Sequence, residues 1–178
     1  FKINLTCYLF VQKMWTFLQI FCLALISCVV KGRQDGAPME ACLTLHPGHS
    51  GQPQQYTPLP FDLLVDNPEP EVDDKLKLTI RGKSPEDKIA GFLVQAREKC
   101  ETPIGKFDVQ NSKIAKTIDC PGGVENTATH VNPNLKDEVN LTWVPPSGYK
   151  GHMSFFVTVA KDKDTFWVAR TTETVWYY

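Results

Sequence analysis

The two histidines of the segment His46-Pro47-Gly48-His49 have the spacing of a metal-ligand pair. Zinc sites in proteins usually need four ligands, with a second pair close by. His130 and His152 could supply further nitrogens, but their spacing matches no recognised zinc pattern. We therefore predict no metal and no cofactor, and we expect His49 and His130 to make structural hydrogen bonds. A metal site that joins His46, His49 and His130 is the alternative.

The sequence also lacks the local patterns of catalytic sites. It has no Gly-x-Ser-x-Gly nucleophile turn and no glycine-rich phosphate loop. Its adjacent carboxylates, Asp73-Asp74 and Glu86-Asp87, stand in polar, turn-like stretches, where solvated charge is the simpler interpretation. We predict that the protein is not an enzyme.

Lysine side chains recur in loops and at outward-facing strand positions. Ammonium groups that line up on one surface would attract anionic lipids or polysaccharides, whereas scattered solubilising charge is the alternative for any single lysine. The aromatic residues Trp176, Tyr177 and Tyr178 would add contact area, or would pack as an end strand. The candidate ligand-contact residues are Lys113, Lys116, Lys150, Lys161 and Lys163.

The amino-terminal part of the chain has the pattern of a secretory signal. The first methionine is Met14, and the largely apolar run from Phe17 to Val30 suits a signal peptide and is short for a membrane span. We interpret residues 1–13 as translated upstream sequence and residues 14–32 as a signal peptide, with a retained anchor as the alternative. The mature chain, residues 33–178, is then secreted as one domain.

The mature chain is mildly acidic. Three of the 19 basic residues lie before residue 33, so 16 remain against 20 acidic residues, and the net charge is −4. Domains that bind nucleic acid through their overall charge are basic. Nucleic acid is therefore not an expected partner, and we expect no membrane-spanning segment in the mature chain.

Three of the six cysteines remain in the mature chain, namely Cys42, Cys100 and Cys120. In an oxidising compartment one pair should form a disulfide, and one thiol should be left over. Spacing alone does not choose the pair. We expect the remaining cysteine to be buried and inert, with pairing to another chain as the alternative.

Asn140-Leu141-Thr142 is an N-glycosylation sequon. Asn140 alternates with Leu141 and Trp143, so its side chain is predicted to point outward from a strand. We predict a glycan at Asn140, and an unused sequon inside a strand is the alternative.

Short apolar runs of period two predict the elements that must position these residues. Apolar side chains occupy every second position of residues 76–80, 139–143 and 153–159, which is typical of half-buried strands. Residues 33–60 are rich in Gly, Pro and Gln and are predicted to be an extended segment. About eight short strands with Gly and Pro turns predict an all-β antiparallel sandwich in a single domain.

Several of these segments resemble the reeler (reelin-type) domain. The most recognisable is Gly91-Phe92-Leu93-Val94-Gln95-Ala96-Arg97, and the resemblance covers about residues 36–172. The other matching segments are 36–38 with Cys42, 47–49, 103–107, 118–120, 128–130, 139–143 with Pro145-Pro146, and 166–168.

The resemblance implies an immunoglobulin-like sandwich with a disulfide between Cys42 and Cys120, whereas Cys100 has no counterpart. A short secreted chain with one such domain is similar to the insect defense proteins, which bind microbial surface components and blood cells without catalysis. It implies a secreted innate-immunity protein with antimicrobial or agglutinating activity, whose partners are lipopolysaccharide, lipoteichoic acid, glucan, bacterial cells and haemocytes. An extracellular adhesion or matrix module that binds host proteins is the alternative.

Overall fold

The computed structural model describes residues 35–48, 53–99 and 102–178. The predicted upstream segment and signal peptide therefore lie outside the described residues, as do His49 and Cys100. The described residues form one short helix, α1 (Ala41–Thr44), and ten strands. The strands are β1 Phe61–Val65, β2 Leu76–Gly82, β3 Gly91–Arg97, β4 Lys106–Asp108, β5 Ala115–Ile118, β6 Thr127–His130, β7 Glu138–Val144, β8 Gly151–Ala160, β9 Phe166–Thr171 and β10 Val175–Tyr177.

The strands build two antiparallel sheets. The first sheet has the order β1-β2-β7-β4. The second has the order β5-β6-β3-β8, and both β9 and β10 pair with the other side of β8. The predicted all-β antiparallel sandwich is therefore confirmed.

Two of the ten strands are not predicted by the sequence pattern. In β1 the adjacent residues Leu63 and Leu64 break the alternation, because Leu64 faces solvent at the edge of the first sheet. β6 has no large apolar residue. It is held by Ala128 in the core and by the hydroxyl of Thr129, which donates to the carbonyl oxygen of Phe92 at 2.8 Å.

The core fills the space between the sheets, and Trp143 is fully buried within it. Its ring meets Phe155 edge-on with centroids 6.0 Å apart, and its Nε1 donates to the carbonyl oxygen of Ile104 at 3.1 Å. Gly105 lies flat against the indole with φ of +65°, and a Cβ atom there would be 2.4 Å from the ring. This position needs glycine both for its conformation and for its space.

Residues 35–48, which we call the cover, lie on the outer face of the second sheet. Leu45 of the cover packs in a small apolar cluster with Leu93 of β3. The hydroxyl of Thr158 donates to the carbonyl oxygen of Leu45 at 2.7 Å. All seven residues of β3 are therefore buried, because this strand has the core on one face and the cover on the other.

The cover contains the one-turn helix α1, where the sequence pattern predicted extended chain. The amide of Cys42 donates to the carbonyl oxygen of Met39 at 3.0 Å. Leu45 then takes a left-handed conformation with φ of 57°, and its amide donates back to Ala41, which ends the helix. Across the described residues, no helix has the length and apolar character that a membrane crossing requires.

Candidate functional site

The disulfide between Cys42 and Cys120 joins the cover to the second sheet, with Cα atoms 5.5 Å apart. This is the pair that the resemblance to reeler domains implied. Gln95 of β3 lies beside it, and its Nε2 donates to the carbonyl oxygen of Cys42 at 3.1 Å and to the hydroxyl of Thr127 at 3.0 Å. The state of Cys100, which lies outside the described residues, stays a prediction.

Arg97 holds the carboxyl end of α1. Its guanidinium donates to the carbonyl oxygens of Cys42 at 2.8 Å and of Leu43 at 3.3 Å. The same group donates to Oε1 of Gln95 and lies over the ring of Phe156, 5.5 Å from its centroid. Carbonyl oxygens at the end of a helix lack partners within the helix, so a cation there is favourable.

Lys113 and Lys116 are both at the edge of the second sheet, three positions apart, and we call this pair the basic edge. Lys116 is on β5 opposite Thr129 of β6, and Lys113 stands in the segment that leads into β5. The stem of Lys116 passes over Gly36 of the cover, where a Cβ atom would lie 2.6 Å from its Cε. Within the described residues neither ammonium group has an ion-pair partner.

The other three candidate lysines lie elsewhere. Lys161 donates to Asp87 at 2.5 Å, with both side chains partly buried, and this ion pair joins the end of β8 to the loop that carries Asp87. Ligand contact by Lys161 stays a prediction. Lys163 is exposed and lies 3.7 Å from Asp164. Lys150 directly precedes β8, whose ten residues span about 33 Å, and is therefore at the opposite end of that strand. The five lysines do not form one surface.

His152 of β8, Trp176 of β10 and Tyr178, which follows β10, form an aromatic strip. Trp176 pairs with His152 across the strands, with ring centroids 5.0 Å apart and a tilt of 31°. Trp176 and Tyr178 are exposed, whereas Tyr177 points into the core and its hydroxyl donates to the carbonyl oxygen of Asp74 at 2.7 Å. Burial raises the pKa of Tyr177, which therefore belongs to the packing of the sandwich and not to its surface.

The described histidines do not converge. The ring of His46 meets Phe166 edge-on at 5.3 Å, and its Nδ1 accepts from the amide of Gly48 at 3.3 Å. His130 lies against Phe92 in a different part of the sheet. In the part of the chain that the structure describes, no three His, Cys, Asp or Glu side chains come together as metal ligands.

Burial lowers the pKa of His130, and the nearby lysines Lys136 and Lys116 act in the same direction. The unfolded chain then takes up a proton near pH 6.5, whereas the folded chain does so only at lower pH. We expect the free energy of unfolding to decrease as the pH falls below about 6.5, and urea titrations at several pH values measure it. His130→Gln should flatten this part of the curve. A His130 ring that titrates at or above pH 6.5 by NMR would contradict the prediction.

Asn140 is exposed on the outer face of the first sheet, as its alternation with Leu141 predicted. The hydroxyl of Thr79 donates to its Oδ1 at 2.8 Å, and its Nδ2 donates to Glu138 at 2.5 Å. A glycan on Nδ2 would compete with the second bond and leave the first intact. Glycosylation of Asn140 stays a prediction.

Sequence reasoning did not single out Gln95 and Arg97 as the residues that hold the cover. The signal is nevertheless present, because two polar side chains alternate with apolar residues in a strand that is otherwise suited to burial. The sequence pattern also does not place His152 beside Trp176 and Tyr178. His152 meets Trp176 only through the register of β8 and β10.

Comparison with known proteins identifies the family. The Reeler domain family model matches residues 40–177. Defense protein l(2)34Fc of Drosophila melanogaster is 34% identical over 159 residues, which cover 86% of this chain and 96% of that protein. A protein of Antheraea mylitta that also carries "defense protein" in its name is 36% identical over 136 residues, which cover 75% of this chain and 80% of that protein.

The fold has a match among solved structures. The crystal structure of the Reelin-N domain of F-spondin superimposes with a TM-score of 0.59 and covers 73% of this chain and 94% of that chain, at 12% identity. At that identity the likeness concerns the fold alone. The family match begins just before α1 and includes every strand of both sheets. The chain therefore belongs to the Reeler domain family.

Proposed function

We propose that this protein is a secreted, non-enzymatic defence protein that binds microbial surface molecules, namely lipopolysaccharide, lipoteichoic acid and glucan, and thereby agglutinates or damages bacterial cells. Relatives named defense proteins support a role in defence, because they align with most of this chain and with most of their own length. Haemocytes are further proposed partners, since a protein that coats the surface of bacteria could both agglutinate them and attach them to blood cells.

The observation that carries the binding proposal is the basic edge. Two ammonium groups three positions apart, without ion-pair partners in the described part of the chain, form a local positive site on a protein whose mature net charge is −4. Phosphate groups of lipopolysaccharide and lipoteichoic acid would be attracted to it. The alternative role of such lysines is to prevent pairing of the exposed edge of β5 with another strand.

The test compares binding of the secreted protein to whole bacteria, lipopolysaccharide and lipoteichoic acid at low and at high salt. The double variant Lys113→Glu and Lys116→Glu should weaken binding by about tenfold or more at low salt, because each lysine near an anionic surface contributes about 1 kcal/mol. The matched control is Lys77→Glu, a lysine on the exposed face of the first sheet. An affinity that is unchanged by high salt and by the double variant would refute a charge-based mechanism.

The second candidate is an adhesion or matrix module that binds host proteins or haemocytes. Exposed apolar side chains favour it, since Leu43 is 72% exposed and Trp176 is 47% exposed. Binding to haemocytes in the same assay, without binding to any bacterial molecule, would favour this candidate and make any role in defence indirect.

A further inference from the structure

Half of the large apolar side chains that are exposed in the described residues lie on one side of the molecule. They belong to the cover, to β10 and to the residue that follows β10, on the outer face of the second sheet. Their exposed fractions are high for apolar residues, and a folded protein gains nothing from placing them in water together. The four residues are Met39 (52% exposed), Leu43 (72%), Trp176 (47%) and Tyr178 (68%).

The cover and the aromatic strip adjoin through a short series of contacts. Arg97 donates to the carbonyl oxygen of Leu43 and stands opposite Ser154 of β8. The hydroxyl of Ser154 lies 3.4 Å from that of Thr174, two positions before Trp176. Side chains at alternate positions of a strand share a face, so Trp176 lies on the same face as the cover. We call this combined area the outer surface.

Two cationic groups flank the outer surface. Lys116 borders the cover at Gly36, and Lys150 comes directly before Gly151, which pairs with Tyr177. Within the described residues Lys150, like Lys116, has no ion-pair partner. Three acidic residues are also exposed there, Asp35 and Glu40 of the cover and Glu173 next to Thr174, and they offset this charge. Neither charge nor apolar area alone would therefore account for tight binding.

Aromatic residues with a polar edge, beside aliphatic and basic groups, match the chemistry of a bilayer interface. Trp and Tyr favour the headgroup region, aliphatic side chains favour the acyl boundary, and lysines contact anionic phosphates. We propose that the outer surface binds the interface of an anionic lipid bilayer, with Leu43, Trp176 and Tyr178 entering the headgroup region. The inference rests on the proposed function in that it names a lipid bilayer as one of the microbial surfaces bound.

Trp176 gives a direct spectroscopic probe of this surface. The other tryptophans of the described residues, Trp143 and Trp167, are 0% and 5% exposed. In protein recovered from the medium of cells that express the full chain, iodide should therefore quench Trp176 selectively. Vesicles of phosphatidylglycerol and phosphatidylcholine should shift its emission to the blue and protect it from iodide, and vesicles of phosphatidylcholine alone should do so far less.

Matched variants locate the binding surface by co-sedimentation with the same vesicles. Leu43→Ser and Lys150→Glu should each weaken binding, by about fivefold or more. Their controls on the exposed face of the first sheet, Leu64→Ser and Lys77→Glu, should remain within about twofold of the unchanged protein.

Equal losses from the controls, or no loss from Leu43→Ser and Lys150→Glu, would overturn the proposal. Protection of Trp176 by a water-soluble glucan and not by vesicles would also overturn it and would assign the outer surface to carbohydrate. Parallel titrations with purified lipopolysaccharide and lipoteichoic acid, without phospholipid, separate the two questions. Binding there with no binding to vesicles refutes the lipid surface and leaves the proposed function in place.

Discussion

Replacing Arg97 with methionine should lower the free energy of unfolding by about 3 kcal/mol. The change removes a buried cation that donates to the carbonyl oxygen of Leu43 and is one of two donors to that of Cys42, which keeps its bond from Gln95. Gln95 in turn loses the Arg97 donor to its Oε1. Buried acceptors that have lost a charged donor are costly, because water cannot reach them to replace it. Methionine keeps most of the aliphatic stem, so the effect reports on the lost hydrogen bonds and on the lost cation–π contact with Phe156.

Urea denaturation followed by circular dichroism measures this loss. The matched control is Arg81→Met, since Arg81 is exposed on the first sheet and lies 3.9 Å from Asp62. An exposed ion pair of that kind contributes about 0–1 kcal/mol. If the two arginine variants have equal stability, Arg97 does not hold the cover in the way its contacts indicate.

The double variant Cys42→Ser and Cys120→Ser should lose about 2–4 kcal/mol. The disulfide closes a loop of 78 positions, and without it the unfolded chain gains conformational freedom that folding must then remove. The same loss is expected from reduction of the unchanged protein, and urea denaturation with and without reductant measures both.

A combined variant tests whether Arg97 and the disulfide act on the same unit. Because both hold the cover, Arg97→Met added to the double serine variant should cost less than the sum of the separate losses. Hydrogen exchange should then increase in the cover and in β3 before it increases in the first sheet. Additive losses, with uniform exchange, would mean that the cover is not a separate cooperative unit.

The sequence predicts the sandwich well because burial on one face leaves a visible period of two. β2 and β7 alternate cleanly, and Trp143 lies in the core. β3 differs, since it is buried on both faces and its polar residues Gln95 and Arg97 face the cover. Alternation alone predicts that such polar residues face solvent. The structure shows that the cover packs against them.

The candidate site is harder to predict because it depends on register between distant strands. In the sequence Lys161 stands in a polar stretch after a strand, as an exposed loop lysine would. In the structure it forms an ion pair with Asp87 of a different loop. Trp176 and His152 are 24 positions apart in the chain and meet only through the pairing of β8 with β10. Neither of these two contacts can be predicted from the spacing of residues along the chain.

The cover precedes both sheets in the chain, but it can dock only after they have been synthesised. Thr158, which binds Leu45, follows it by 113 positions, so a nascent chain must be almost complete before the cover has a surface to dock on. Meanwhile Cys100 leaves the ribosome 20 positions ahead of Cys120 and is the first partner offered to Cys42. A Cys42–Cys100 bridge formed in this way would have to be exchanged for the Cys42–Cys120 pair, so we expect the yield of native protein to rise with the supply of disulfide isomerase.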